Sequence, residues 1–377
     1  MSSVAGDYRE ALERICAQII EPGAPDVDQR GVFPDNGIKA LADAGLMGAA
    51  SAREVGGLGL GHRGAATIVG RLARDCGSTA MVACMHYCGT AVLEAWGPRD
   101  IRQAAAAGTH LSTLAFSEAG SRSHFWTPVS TARRDGEWVV LDARKSWVTS
   151  ASKAASYVWS SQPIDAGKGL STLWLVPAGV PGIRVQGPFD GLGLRGNDSS
   201  PVAADGVRVA SAAMVGEDGT GFDIMIGTVL PMFNVLSAAC SIGIMEAAVQ
   251  RTTQHATGTR LADVDSTLAD LPTIRNYLAR MQIKTDMARA FLDDTLSALE
   301  GGRSDATLKI LSCKAAAGEA ALEVVGMAMR ICGGAAYRKD VAVERYFRDA
   351  HAAGVMGPTT DVLYDFVGKA VCGMNLF

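Results

Sequence analysis

Residues Ile331–Val362 read ICGGAAYRKDVAVERYFRDAHAAGVMGPTTDV, and the fold is decided by how this stretch is read. An Ala-rich, apolar-periodic segment from about Ala306 to Arg330 runs into Gly333-Gly334. Paired glycines can end a helix and let the backbone approach a neighbour closely. A short charged helix is expected from Val343 to His351. Gly357-Pro358-Thr359-Thr360-Asp361 then makes a turn, followed by Thr and Asp cap residues and a last helix. A helix N-terminus with free amides and hydroxyls, opposite a Gly-Gly turn, suits an anion or a cofactor. The same residues also suit an ordinary helix–turn–helix junction.

From this stretch back to about Gly221 the apolar residues keep a helical period. Pro231–Ala256, Leu268–Glu300, Thr307–Arg330 and Val362–Val371 are predicted helices. Ser237, Ala238, Ala239, Gly243 and Ala247 give the first of them a small-residue face suited to close antiparallel packing. Upstream, from about Leu111, the period is two. Leu114–Phe116, Glu137–Leu141, Thr172–Val176 and Val207–Val209 read as strands separated by Gly- and Pro-rich turns. The residues before Leu111 read as helices again, with Glu54–Leu60 as a Gly-rich turn too short and apolar for a phosphate loop. His86 falls inside a predicted helix, Thr79–Leu93, and reads as a packed residue. The expected fold is α+β: an N-terminal helical domain (1–110), a central β domain, barrel or sandwich (111–216), and a C-terminal four-helix bundle (217–377).

Composition narrows the function. Of 377 residues, 48% are hydrophobic and 20% charged, a globular balance. Net charge is −4 with no basic run, which argues against nucleic acid and acidic membrane surfaces as partners. No signal-like segment and no membrane-spanning apolar run is read, so a cytoplasmic location is expected. The eight cysteines are scattered and read as reduced, mostly buried residues, with no metal site.

The stretch resembles the C-terminal signature of the acyl-CoA dehydrogenase family. The family's Gln-x-x-Gly-Gly element corresponds to Arg330-Ile331-Cys332-Gly333-Gly334, and its Val-Glu-Arg-x-x-Arg-Asp-Ala helix to Val343–Ala350. Its Glu-Gly-Thr turn lands on Gly357-Pro358-Thr359. The β region resembles the family too. Phe116-Ser117-Glu118-Ala119-Gly120-Ser121-Arg122-Ser123-His124 and Lys145-Ser146-Trp147-Val148-Thr149-Ser150 match its two flavin-facing segments, at the family's spacing. The order of helices, β insert and bundle is also that of the family, so the resemblance covers essentially the whole chain.

The resemblance implies FAD as cofactor. It assigns Trp147 to stacking on the isoalloxazine, Thr149 with Phe116, Ser117 and Val148 to the flavin's hydrogen-bonding edge, and Ser123 to the flavin and the substrate carbonyl. Arg330, Gly333, Gly334, Thr359 and Asp361 fall on the flavin's phosphate side. Arg260 stands where the family has an Arg-x-x-Phe-Gly segment that reaches a neighbouring subunit's FAD; here the Phe-Gly is missing. A homodimer or homotetramer is implied.

Two departures bear on mechanism. The family's usual catalytic glutamate falls on Gly357, and its alternative position falls on Phe233, with Asn234 where an arginine is usual. Abstraction of an α-proton needs a positioned base, and none of these residues is one. Asp223, Glu246 and Asp361 are the nearest carboxylates in sequence. His124 replaces an aspartate beside the presumed flavin and is the candidate strand-side base, since histidine titrates near neutrality. Phe233, Asn234, Ser123 and Gly357 are the expected substrate contacts. Three functions stay open. One is an oxidoreductase acting on a thioester of CoA or acyl carrier protein, passing electrons to an electron-transfer flavoprotein or oxygen. The second is a flavin monooxygenase, and the third a non-catalytic subunit that binds flavin or substrate.

Overall fold

The structure is a computed structural model describing residues 4–121, 124–167, 170–262 and 265–376. The N-terminal helices are α1 (Val4–Ile15) and α2 (Glu21–Arg30), joined by a π-helical turn, then α3 (Asp35–Asp43), α4 (Gly61–Asp75), α5 (Gly77–Trp96) and α6 (Arg99–Ala106). Helix α5 is buried almost all round. Its His86 lies in the core: Nδ1 accepts from the Ser112 amide (3.2 Å) and Nε2 faces the Met47 carbonyl (3.2 Å). Burial pushes this imidazole down to about 4, so it is neutral and ties the helices to the first strand.

The β region holds β1 (Ser112–Ala115), β2 (Thr131–Asp135), β3 (Trp138–Val148), β4 (Ser156–Ser161), β5 (Thr172–Pro177), β6 (Ile183–Val185), β7 (Ser200–Ala210) and β8 (Met214–Val215). They form two four-stranded sheets, ordered β1-β4-β5-β8 and β2-β3-β7-β6. Val139, Leu141 and Val207 of one sheet and Tyr157, Trp159 and Trp174 of the other share a core, so the expectation of a barrel or sandwich resolves as a sandwich. Alternation along β3 buries Val139, Leu141, Ala143 and Lys145, placing a lysine at the end of an apolar row.

After the short helix α7 (Gly221–Ile224) come α8 (Leu230–Gly258), the small hairpin β9 (Arg260–Leu261) and β10 (Ser266–Thr267), α9 (Pro272–Glu300) and α10 (Ala306–Cys332). Then follow α11 (Val343–Ala350), α12 (Ala352–Val355) and α13 (Thr360–Val371). Helix α10 packs on α8, α9 and α13, as the bundle reading expects. Helix α8 also packs along α4, so the N-terminal and C-terminal helical regions share one core. The contact is close because Gly70 and Gly243 meet across it: a Cβ on Gly243 would collide with the Gly70 carbonyl. The helical run Gly221–Gly258 is long and apolar enough to cross a membrane, which corrects the expectation that no such run exists. Its apolar window is 78% buried inside the protein, which makes it the central helix of this core.

Helix α11 joins the three regions. Arg348 pairs with Asp28 of α2 (2.6 Å) and donates to the Leu192 carbonyl of the β region (3.1 Å). Asp349 accepts from the Leu194 amide at 2.6 Å. Burial pushes the Asp349 carboxyl up to about 6, against the pull of that amide and of Arg345. Arg345 donates to the Asp75 carbonyl at the end of α4 (3.0 Å).

Candidate functional site

The two motif segments of the β region lie side by side. The Ser146 amide donates to the Ser117 carbonyl (2.8 Å), and Glu118 and Lys145 bridge antiparallel. Their side chains form a buried ion pair, Nζ to Oε1 2.7 Å. Lys145 Nζ also donates to Ser160 O (2.7 Å), Ser160 Oγ (3.0 Å) and Ser130 Oγ (3.2 Å). Glu118 accepts from the amides of Val129 and Ser130. Burial works against the carboxylate, yet Lys145 and these donors hold Glu118 below the usual range. Burial pushes Lys145 down to about 8 against the attraction of Glu118. The pair fixes the two segments in register.

Two residues beyond Lys145 the strand bulges against β7, and Trp147 takes φ 55°, unusual for a bulky residue. Its indole is 70% exposed. A large aromatic held outward on strained backbone is a stacking surface, and strain of this kind clusters at ligand sites. Thr149 is buried, its Oγ1 3.0 Å from Ser199 Oγ and its carbonyl accepting from Thr113 Oγ1 (2.8 Å). Val148 is fully buried. The Phe116 ring stacks on Phe125 (6.2 Å, 11°), and the His124 ring on Trp126 (4.9 Å, 17°). Trp126 in turn meets Phe366 of α13, linking this edge to the last helix. Ser123 lies outside the described residues.

The helical side is assembled by one residue that no motif contains. Lys314 of α10 is 1% exposed, and its Nζ donates to the carbonyls of Ala353 (3.2 Å), Met356 (3.0 Å) and Pro358 (2.7 Å). It also lies 5.7 Å from the centroid of the Phe233 ring. Phe233 and the turn at Gly357 are therefore brought together through a buried ammonium. Burial pushes Lys314 down to about 7; the groups facing it are the Cys313 and Cys84 thiols, and among the described residues it forms no ion pair. One turn away, Asn234 Nδ2 donates to the Ile310 carbonyl (3.2 Å). Asn234 Oδ1 and Ser237 Oγ are buried without a hydrogen-bond partner among the described residues.

The acyl-CoA dehydrogenase N-terminal domain matches residues 5–108, the middle domain 113–207 and the C-terminal domain 219–372. The chain belongs to the acyl-CoA dehydrogenase family. The probable acyl-CoA dehydrogenase YngJ of Bacillus subtilis is 28% identical over 363 residues, 94% of each chain. Among solved structures, butyryl-CoA dehydrogenase from Megasphaera elsdenii superposes with a TM-score of 0.92 at 21% identity, covering 99% of both chains. The prolyl acyl carrier protein oxidase AnaB superposes with a TM-score of 0.88 at 19% identity, covering 98% of this chain and 99% of that one. Acyl-CoA dehydrogenases are oxidoreductases that use FAD.

Among the described residues, no hydrogen bond or ion pair joins the remaining expected site residues of this family member to one another. Arg260 lies on β9, its side chain 81% exposed and 3.4 Å from Asp265. No described contact joins it to the strand or helix groups above. Gly333 and Gly334 end α10 in the open, Gly333 at φ 54°, and Arg330 is exposed just before them. Thr359 caps α13, its Oγ1 accepting from the Val362 amide (3.4 Å), with Asp361 exposed in the first turn. Of the carboxylates weighed from sequence, Glu246 is engaged by Arg289 and by Arg74 (3.8 Å). Glu118 and Lys145 stood inside quoted motifs without a role. Lys314 was missed, although its neighbours at three and four positions, Ile310, Leu311, Ala317 and Gly318, are all apolar or small and put it on a core face.

Proposed function

We propose that this chain binds FAD and oxidises an acyl thioester, carried by CoA or by an acyl carrier protein, with no carboxylate at either of the family's base positions. The observation that carries the reading is the outward indole of Trp147 on a bulge pinned by the Glu118–Lys145 pair. The residues fit the cofactor. Trp147 offers a stacking face, the 116–117 backbone an adjacent hydrogen-bonding edge, and Gly333-Gly334 a surface where a Cβ would meet nothing within 4 Å. When bound, FAD would supply an acceptor for two electrons, taken together as a hydride.

The chain's own groups do the rest. Trp147 shields and orients. Asn234 Oδ1 and Ser237 Oγ are buried and await a partner that a polar substrate group would provide. Neither Gly357 nor Phe233 takes a proton, so the α-proton leaves to water from a substrate in which it is unusually acidic, or to His124 on the strand side. Electrons pass on to an electron-transfer flavoprotein or to oxygen, and the working unit is a homodimer or homotetramer in the cytoplasm.

The test is anaerobic titration of the purified yellow protein with a series of acyl thioesters. Bleaching of the flavin by thioester alone supports the reading. Bleaching only by an added flavin reductase or NAD(P)H replaces it with a monooxygenase. A colourless protein that FAD does not reconstitute rules it out.

A further inference from the structure

Lys314 is a buried cation that the reading above does not use. Met356 and Pro358, whose carbonyls it holds at 3.0 and 2.7 Å, stand on either side of Gly357. The third carbonyl, of Ala353, belongs to α12, a helix of four residues whose carbonyls have almost no partners of their own. The same ammonium lies against Phe233. It therefore touches the backbone flanking one base position and the side chain at the other.

In its protonated form Lys314 is not a base. An ammonium has three protons and no acceptor, and here three carbonyls take all three. A lysine held in this way has no lone pair for a substrate proton. What it can do is fix backbone. Gly357 contributes no side chain, so its peptide is placed only by what holds Met356 and Pro358.

We infer that Lys314 is a positioning residue: its ammonium ties the Met356–Gly357–Pro358 turn to α10, beside Phe233 of α8, and so sets the wall on which the reacting acyl carbon rests. The inference relies on the thioester reading for its kinetic consequence and is independent of it for the clamp.

The experiment is Lys314→Met, which keeps the chain length and removes the donors. Hydrogen–deuterium exchange of the FAD-loaded variant should rise about tenfold or more at the amides of Val355, Met356 and Gly357, a change of ~1.4 kcal/mol in local opening. Exchange in α4, α8 and α13 should stay as in the wild type. The limiting rate of flavin reduction by thioester should fall about 10²-fold, the size expected for small misplacement of a reacting centre, with KM and FAD content unchanged. Lys314→Gln keeps two donors and should show the same pattern at smaller size. It also serves if the methionine variant does not fold.

Exchange unchanged at 355–357, or raised throughout the molecule, overturns the clamp. Local exchange raised with a wild-type reduction rate overturns the positioning role. A wild-type flavin that no thioester reduces, together with the local exchange change, discards the thioester reading and keeps the clamp.

Discussion

Lys145 and Lys314 are both buried ammoniums, and they are held in opposite ways. Lys145 has a carboxylate, Glu118, at 2.7 Å and three serine oxygens besides. Lys314 has carbonyls only. The first arrangement joins the two segments proposed to face the flavin. The second joins a helix to the turn where the family's carboxylate is missing. A paired charge locks a binding surface, while a charge solvated by backbone locks the shape of a site and leaves its field positive.

The strongest way to break the contrast is to give Lys314 a carboxylate neighbour. Gly357→Glu is expected to raise flavin reduction by a simple acyl-CoA about 10²–10⁴-fold, the range for a positioned general base. Gly357→Ala is the control for steric tolerance, and stopped-flow reduction is the measurement. If alanine is tolerated and glutamate adds nothing, the monooxygenase alternative moves ahead.

Breaking the other pair comes next. Glu118→Ala strands the Lys145 ammonium and should cost about 3–5 kcal/mol in chemical denaturation, with loss of flavin. Replacing both partners, Glu118→Leu with Lys145→Met, should recover most of the stability. An equal loss in the double variant would mean that the pair's shape, and not its charge, holds the segments.

A pH series sharpens the comparison. Burial brings Lys314 to about 7 and Lys145 to about 8, both below the ordinary lysine value of 10.5. The folded chain therefore binds fewer protons than the unfolded chain between these values and 10.5. Stability from these groups rises with pH across that window, by up to ~1.4 kcal/mol per pH unit for each lysine. Lys314→Met should flatten the rise from pH 7 upward. A slope equal to the wild type would show that Lys314 stays charged throughout.

The smallest effects belong to the surface. Trp147→Ala should move stability by no more than about 0.5 kcal/mol, as for other exposed positions, yet weaken FAD retention or shift its absorption. His124→Ala should leave FAD bound; loss of turnover in that variant places the base on the strand side, and full turnover removes His124 from the mechanism.

Much of this was legible before any coordinates. Helical and two-residue periods gave the order of the elements, and the motifs gave the strand-side residues. Strand β4 was not legible: all six residues, Ser156–Ser161, are buried, so it has no alternation to read. The shared core of α4 and α8 was hidden because glycines at 70 and 243 record nearness without naming a partner. Thr149, expected at the flavin's hydrogen-bonding edge, has its hydroxyl beside Ser199, a partner fifty positions on that the motifs did not mark. Lys314 was illegible for a related reason. Its three partners are backbone carbonyls, which any sequence has, so nothing in the residue types marks where the ammonium goes.

The α11 joint has a consequence for how the chain is made. Asp28 and Arg348 are 320 positions apart. While the ribosome is still extending the chain, α2 has no Arg348 and α4 has no α8 to cover its apolar face. For most of synthesis the first helices wait with their future interior exposed. Contacts so distant in sequence form late and leave sticky surfaces open meanwhile. Residues 338–377 thus close the molecule, and a ribosome stalled just short of them would present a chaperone with an unlatched protein.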